Sequence, residues 1–255
     1  MAIQIDDTRV LFGEPIKITD KVSLRIPKVG DVALNTNFSQ YSRLFCVSTR
    51  ELFSAMREVD ELEKKYPTVF DMMFDDDQTD YALGTMLGSG LPASALVMEA
   101  LEFWTGADRN GFAKLSNGKK FVHEKQDWVI DKAMFEDICE VIKKLLCYEP
   151  DIDLIAPEIR SDARFDAWQK TLKGRLRSRS RKGATYADKI LILSISMDSY
   201  IPIQEIREMS IFHFTKMYNA VHEKEAYERS WAVHISPKFD TSKQKIQHWS
   251  EKVSK

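Results

Sequence analysis

The sequence predicts a mainly α fold with minor β, and three observations carry that prediction. Apolar residues recur at spacings of three and four over long stretches. An Asn-Gly dipeptide sits between two short apolar runs, a hairpin signal. With 10 Gly and 8 Pro in 255 residues, little of the chain is left for loops. The expected layout is an N-terminal β arm or hairpin over residues 1–37, a helical domain with a small β-hairpin insertion over 38–150, and a C-terminal helical bundle over 151–255.

The first 30 residues read as short strands. IQID, RVLF, IKI and VSLRI are alternating or β-branched, and Gly13-Glu14-Pro15 and Thr19-Asp20-Lys21 supply turns between them. A helix is expected over residues 43–66, where Leu44, Val47, Leu52, Met56, Val59 and Leu62 keep helical spacing. Ser48 or Thr49 caps a helix beginning there, with Glu51 in its first turn, and Pro67 ends it. A short helix over 68–74 follows, then the acidic stretch that begins at Asp75. Gly84, Gly88 and Gly90 break the chain before Pro92, which suits a first helical position. Residues 94–104 then read as a strongly apolar helix.

Residues 111–115 and 120–123 flank the Asn117-Gly118 turn, and Trp128-Val129-Ile130 adds a third strand. Asp131 is the expected N-cap of a helix over 132–148, with Phe135, Ile138, Cys139, Ile142, Leu145 and Leu146 on one face. Pro150 and Pro157 bracket DIDLIA, which reads as a linker and as the domain boundary. Beyond it, Phe165, Trp168, Leu172 and Leu176 mark an amphipathic helix from near 159 to about 178. Helices follow over 186–199, over 203–209, and over 210–225 or beyond. The polar last 20 residues, from Ser236, are expected to pack loosely around Trp249. There is no internal repeat.

Composition narrows the function classes. Hydrophobic residues make up 44% and charged residues 30%, an ordinary globular balance. The formal net charge of −2 leaves no global field toward nucleic acid, so such a role rests on a local patch. Cys46, Cys139 and Cys147 form neither a disulfide framework nor a CxxC site, which fits a reducing compartment. The opening MAIQIDDTRV lacks the pattern of a signal peptide, and the apolar run ILILSI at 190–195 is far too short to span a membrane.

Two segments stand out as candidate sites. The first is GRLRSRSRKG, with Lys170, Lys173, Arg175, Arg177, Arg179, Arg181 and Lys182 and no acid between them. Its functional reading is phosphate contact. Its structural reading carries more weight: cations in the last turn of a helix favour the negative end of the helix dipole, and no aromatics interleave to stack bases. The second is the helix pair SYIPIQEIREMSIFHFTKMYNAV. It has helix-turn-helix rhythm, but its second helix offers few base-reading side chains. A packed pair is the better reading, with Ile211, Phe212, Phe214, Met217 and Tyr218 as a partner surface or as core. The apolar helix from Leu96 to Trp104 carries the same two readings.

Other motifs fall away. GTMLGSG lacks the Gly-Lys-Ser/Thr ending of a phosphate loop, and DDDQTD lacks the glycine and acid of a calcium loop, leaving a solvated acidic turn. The five histidines form no ligand pair, and no Gly-x-Ser-x-Gly elbow is present. No catalytic, cofactor-binding or metal-binding residues are assigned, and the expectation is a protein that is not an enzyme and takes no cofactor.

Three segments resemble a group of proteins of roughly this length from tailed phages of Gram-positive bacteria: FGEPIKITDKVSLRIPKVGDV, VIDKAMFEDICEVIKKL, and DSYIPIQEIREMSIFHFTKMYNAV with its Ile-x-x-Met-Ser step before an aromatic-rich helix. Their order and spacing are similar too. The resemblance implies a virion-morphogenesis protein acting in tail assembly, chaperone-like or structural. It implies a phage tail or other virion protein as partner, homo-oligomers as an option, and work in the bacterial host cytoplasm or the virion. Apolar helix surface suits such a role. The alternative is a nucleic-acid-binding protein using residues 170–182.

Overall fold

The computed structural model describes residues 3, 5–180, 184–196, 200–236 and 246–253, with the side chains of 179, 180, 252 and 253 left out. Its described residues form 14 helices and two small antiparallel sheets, a mainly α architecture with minor β. No helix among them is long and apolar enough to cross a membrane.

The N-terminal segment departs from the strand reading. RVLF lies in and just after helix α1, Asp7–Leu11, because the Asp6 carboxylate accepts hydrogen bonds from the N–H groups of Thr8 and Arg9 at 2.9 and 3.4 Å. Of IQID, the described residues lie outside any strand. The expected hairpin is present as β1, Ile16–Lys17, paired with β2, Ser23–Leu24. Helix α2, Val29–Leu34, follows. The segment does not stand off as an arm. Val10, Leu24, Val29 and Val32 are buried, and backbone bonds run from Arg25 to Trp104, from Val29 to Met209 and from Ile211 to Pro27.

The helical stretch expected over 43–66, with a helix capped at Ser48 or Thr49, is three helices: α3, Phe38–Cys46; α4, Thr49–Leu52; and α5, Val59–Lys65. Val47 and Ser48 take extended backbone, and the Ser48 hydroxyl accepts from the Glu51 N–H at 3.2 Å, so a cap stops one helix and starts another. Helix α6, Val69–Met73, opens on a reciprocal Thr68–Asp71 capping box. Asp71 also accepts from Lys132 at 2.8 Å. DDDQTD, read as a solvated turn, instead starts helix α7, Asp77–Met86, with Asp76 as its N-cap. Asp80 within it is buried and accepts from the Ser94 backbone N–H at 2.8 Å and from Lys114 at 2.8 Å. One turn on, Gly84 lies against the Leu91 carbonyl so closely that an added Cβ would sit 1.9 Å from its oxygen. Together they set how α7 meets helix α8, Ala93–Thr105.

The hairpin insertion forms as expected: β3, Phe112–Leu115; β4, Lys120–His123; and β5, Trp128–Ile130, in antiparallel order β3-β4-β5. Gly118 has φ +84°, the conformation the turn demands. Asp131 caps helix α9, Lys132–Leu145, through the Met134 N–H at 2.9 Å. The 150–157 stretch, expected as a linker, is pinned against α4 and α5. Ala156 is buried, its N–H donates to Ser54 at 3.2 Å, and Arg50 donates to its carbonyl at 2.8 Å. Helix α10, Asp162–Ser180, is docked there by Trp168, whose indole donates to the Ser54 carbonyl at 2.6 Å. Helices α11, Tyr186–Ser196; α12, Ile203–Glu208; α13, Ile211–His234; and α14, Trp249–Val253, complete the chain.

One hydrophobic cluster draws on residues from Val10 to Val221. At its centre Phe45, Phe70, Phe74, Phe121 and Phe135 join α3, α6, β4 and α9, with ring centroids 4.6 to 6.2 Å apart.

Candidate functional site

The structure separates the two candidate segments. In the basic run, Lys170, Lys173 and Arg177 are exposed on α10, and their spacing of three and four puts them on one face. Arg175 has a structural task. Its guanidinium donates to the Asp153 carbonyl at 2.5 Å, pairs with the Asp153 carboxylate at 3.3 Å, and lies 5.8 Å from the Trp168 ring centroid. It fastens α10 to the short 3-10 turn Ile152–Leu154. The Arg179 side chain, Arg181 and Lys182 lie outside the described residues.

The second candidate is corrected at most of its positions. Ile211, Phe212 and Phe214 are 0%, 2% and 2% exposed, so they are core and not surface. Met217 and Tyr218 are half-buried. The N-terminal half of α13 lies against α1, α2 and α11, so its apolar face is covered. The Phe214 ring stacks between Tyr186 at 6.5 Å and Tyr218 at 6.3 Å, with the Lys189 ammonium 5.6 Å from the Tyr218 centroid. Leu96 to Trp104 is likewise core: Leu96, Val97, Leu101 and Trp104 are all fully buried.

Among the exposed apolar side chains are several on α11, α12 and α2. Leu191 is 52% exposed, Ile195 73%, Ile203 45% and Leu34 75%. Tyr200, between α11 and α12, is also exposed. Leu191 and Ile195 are four apart on one face of α11, while Leu193 and Ser194 face inward and are buried. Burying four such side chains against a partner removes apolar area worth about 1.5–3 kcal/mol for each one fully covered.

Two shallow apolar grooves flank α2. One, of about 400 Å³, is lined by Val32, Phe38, Ser42, Arg43, Cys46 and Tyr186, among others. The second, of about 260 Å³, is lined by Val29, Gly30, Leu34, Ile190, Ile203 and Arg207. Ala33 lines both. Burial pushes the pKa of the Cys46 thiol in the first groove up to about 12, which disfavours the thiolate form. Sequence reasoning passed over this surface. ILILSI was weighed only as a membrane span, yet a helix apolar on nearly all sides that is enclosed on one side only leaves apolar residues outside.

A larger cleft of about 950 Å³ lies between α1, α9 and α13, and its lining includes Asp7, Lys143, Lys144, Cys147, Lys216 and His222. Much of its charge is paired internally, Lys144 with Asp7 at 2.5 Å and Lys143 with Glu140 at 2.8 Å. Burial raises the Cys147 thiol pKa. Among the described residues, no group of three or more His, Cys, Asp or Glu is placed to hold a metal ion.

Residues 178–254 match the family model of the YomV second domain, a phage-associated family of the Bacillus phage type. No curated protein and no solved structure gives a match. The matched segment holds α11 to α14 and with them the exposed side chains of Leu191, Ile195, Tyr200 and Ile203. That similarity supports reading the chain as a phage protein.

Proposed function

We propose that this chain is a non-enzymatic phage protein that acts in tail assembly through protein contacts, as a chaperone-like or structural component. The observation that carries the reading is apolar exposure at two places: Leu191 and Ile195 on one face of α11, and Leu34 and Ile203 along the groove beside α2. Neighbouring apolar side chains left in solvent on a helix face and along a groove offer area that a partner protein can bury. The resemblance to phage tail-assembly proteins supplies the tail. The work is done in the host cytoplasm, and in the virion if the protein remains there.

The test is capture of the tagged chain from infected cells, with the lysate split into nuclease-treated and untreated halves and the partners read by mass spectrometry. The same tail protein in both halves supports the reading. Recovery of nuclease-sensitive partners alone overturns it.

One observation favours a second reading, nucleic-acid binding: the common face of Lys170, Lys173 and Arg177 on α10. That reading requires an affinity for duplex DNA that falls steeply with salt.

A further inference from the structure

The grooves beside α2 are apolar within and positively charged at the edge. Arg43 lines one and Arg207 the other, and both residues are exposed. Among the described residues neither guanidinium pairs with a carboxylate. Lys189 adds a third cation, held over the rings of Tyr186 and Tyr218 at 5.5 and 5.6 Å and not by an acid. The neighbouring acids are already engaged. Glu208 pairs with Lys28 at 2.5 Å, Asp31 accepts from the Lys28 N–H at 3.1 Å, Asp188 accepts from the Thr185 N–H at 2.8 Å, and Glu51 accepts from Tyr148 at 3.0 Å. Glu205, on α12, lines neither groove.

The two grooves meet at Ala33. Ala33 is exposed and borders both grooves. Gly30 lies so close to the aliphatic stem of Arg207 that an added Cβ would sit 2.8 Å from its Cγ. Gly30 is thus covered by the Arg207 stem, and it is exposed Ala33 that lets another helix lie along α2 and set its own apolar side chains into the depressions on either side.

The geometry points to one occupant, an acidic amphipathic helix of a partner protein. Its apolar stripe fills the two grooves, and Asp or Glu on its flanks meets Arg43 and Arg207. This rests on the protein-contact reading and names the partner's chemistry. Guanidinium–carboxylate pairs beside an apolar seat select the partner and its orientation more than they add affinity. The same two arginines disfavour a helix flanked by lysine.

Two labelled synthetic peptides of about five helical turns test this, one with a leucine stripe flanked by glutamate and the other with the same stripe flanked by lysine. Each is titrated against the full chain and followed by fluorescence anisotropy at roughly 0.1 M salt. The glutamate peptide is expected to bind about tenfold tighter, the effect of two rim ion pairs of modest strength. Arg43→Gln with Arg207→Gln is expected to erase that preference while leaving the thermal midpoint in place. Ala33→Trp, at an exposed position, is expected to remove binding of both peptides.

Equal binding of the two peptides, no binding of either, or binding that survives Ala33→Trp overturns the inference. So does a dimer of the unmodified chain that Ala33→Trp converts to monomer in sedimentation, since the occupant is then a second copy. Capture of the tail protein that survives Ala33→Trp sinks the groove assignment and leaves the protein-contact reading standing.

Discussion

Replacing Asp80 with alanine should be one of the more damaging single changes outside the aromatic core. The Asp80 side chain is 4% exposed, and it faces the Lys114 ammonium at 2.8 Å, itself 17% exposed. It also accepts from the Ser94 N–H at 2.8 Å and from the Ser94 hydroxyl at the start of α8. Removing one partner of a buried ion pair costs about 3–5 kcal/mol, because the other charge is left uncompensated. Lys114 keeps some solvent and has the Phe74 ring centroid 5.4 Å away, which argues for the lower end, about 3 kcal/mol. Adding Lys114→Met removes the stranded charge. The double variant should then lose only about 2 kcal/mol, the order expected for the two lost bonds at Ser94. Urea unfolding followed by far-ultraviolet circular dichroism measures both. A double variant no more stable than Asp80→Ala would refute the reasoning, as would a loss of under about 1 kcal/mol for the single change.

Three further outcomes follow from the same packing. Phe214→Ala, at a position expected as partner surface and found in the core, should cost about 3–5 kcal/mol of unfolding free energy in the same assay. Burial works against the Asp71 carboxylate, but hydrogen bonds from Lys132 and Thr68 prevail and hold its pKa below the usual carboxylate value. Its contribution is therefore present above the unfolded pKa of about 3.9 and lost as the pH falls through the lower folded value, so the stability gap between the native chain and Asp71→Asn should be full at neutral pH and close in acid. Thiol labelling of the folded chain should modify half-buried Cys147 before Cys46 and Cys139, which are buried and whose pKa values burial raises; tryptic mapping of the modified peptides reads the order.

Local chemistry made several elements legible. Asn117-Gly118 announced the β3–β4 turn, Asp131 announced the start of α9, and the apolar spacing through Trp168 and Leu172 marked α10 almost to its end. Elements were misread where a local signal had two structural outcomes. Over 43–66 the Ser48 cap was legible, but the apolar spacing hid the break after Leu52 that separates α4 from α5. Asp6 turns a β-like RVLF into helix, and acids that read as solvated begin α7 and bury Asp80. The candidate site depended on tertiary packing that spacing does not encode. The two faces of α11 carry nearly identical residues, and only the packing of Leu193 inward decides that Leu191 and Ile195 face outward. Arg175 belongs to the most basic stretch of the chain, yet its partner Asp153 is 22 residues away and invisible to any local reading.

The most direct test of the protein-contact account is the double variant Leu191→Glu, Ile195→Glu. Both residues are exposed, so the thermal midpoint should shift little, in keeping with surface substitutions that change stability by about 0.5 kcal/mol or less. The measurement is quantitative capture of the tail protein from infected cells by the variant, beside the native chain and an Arg177→Gln control. Loss of the tail protein by the double variant alone, with folding intact, is the expected result. Full capture by the double variant would contradict the account and remove α11 as the contact surface.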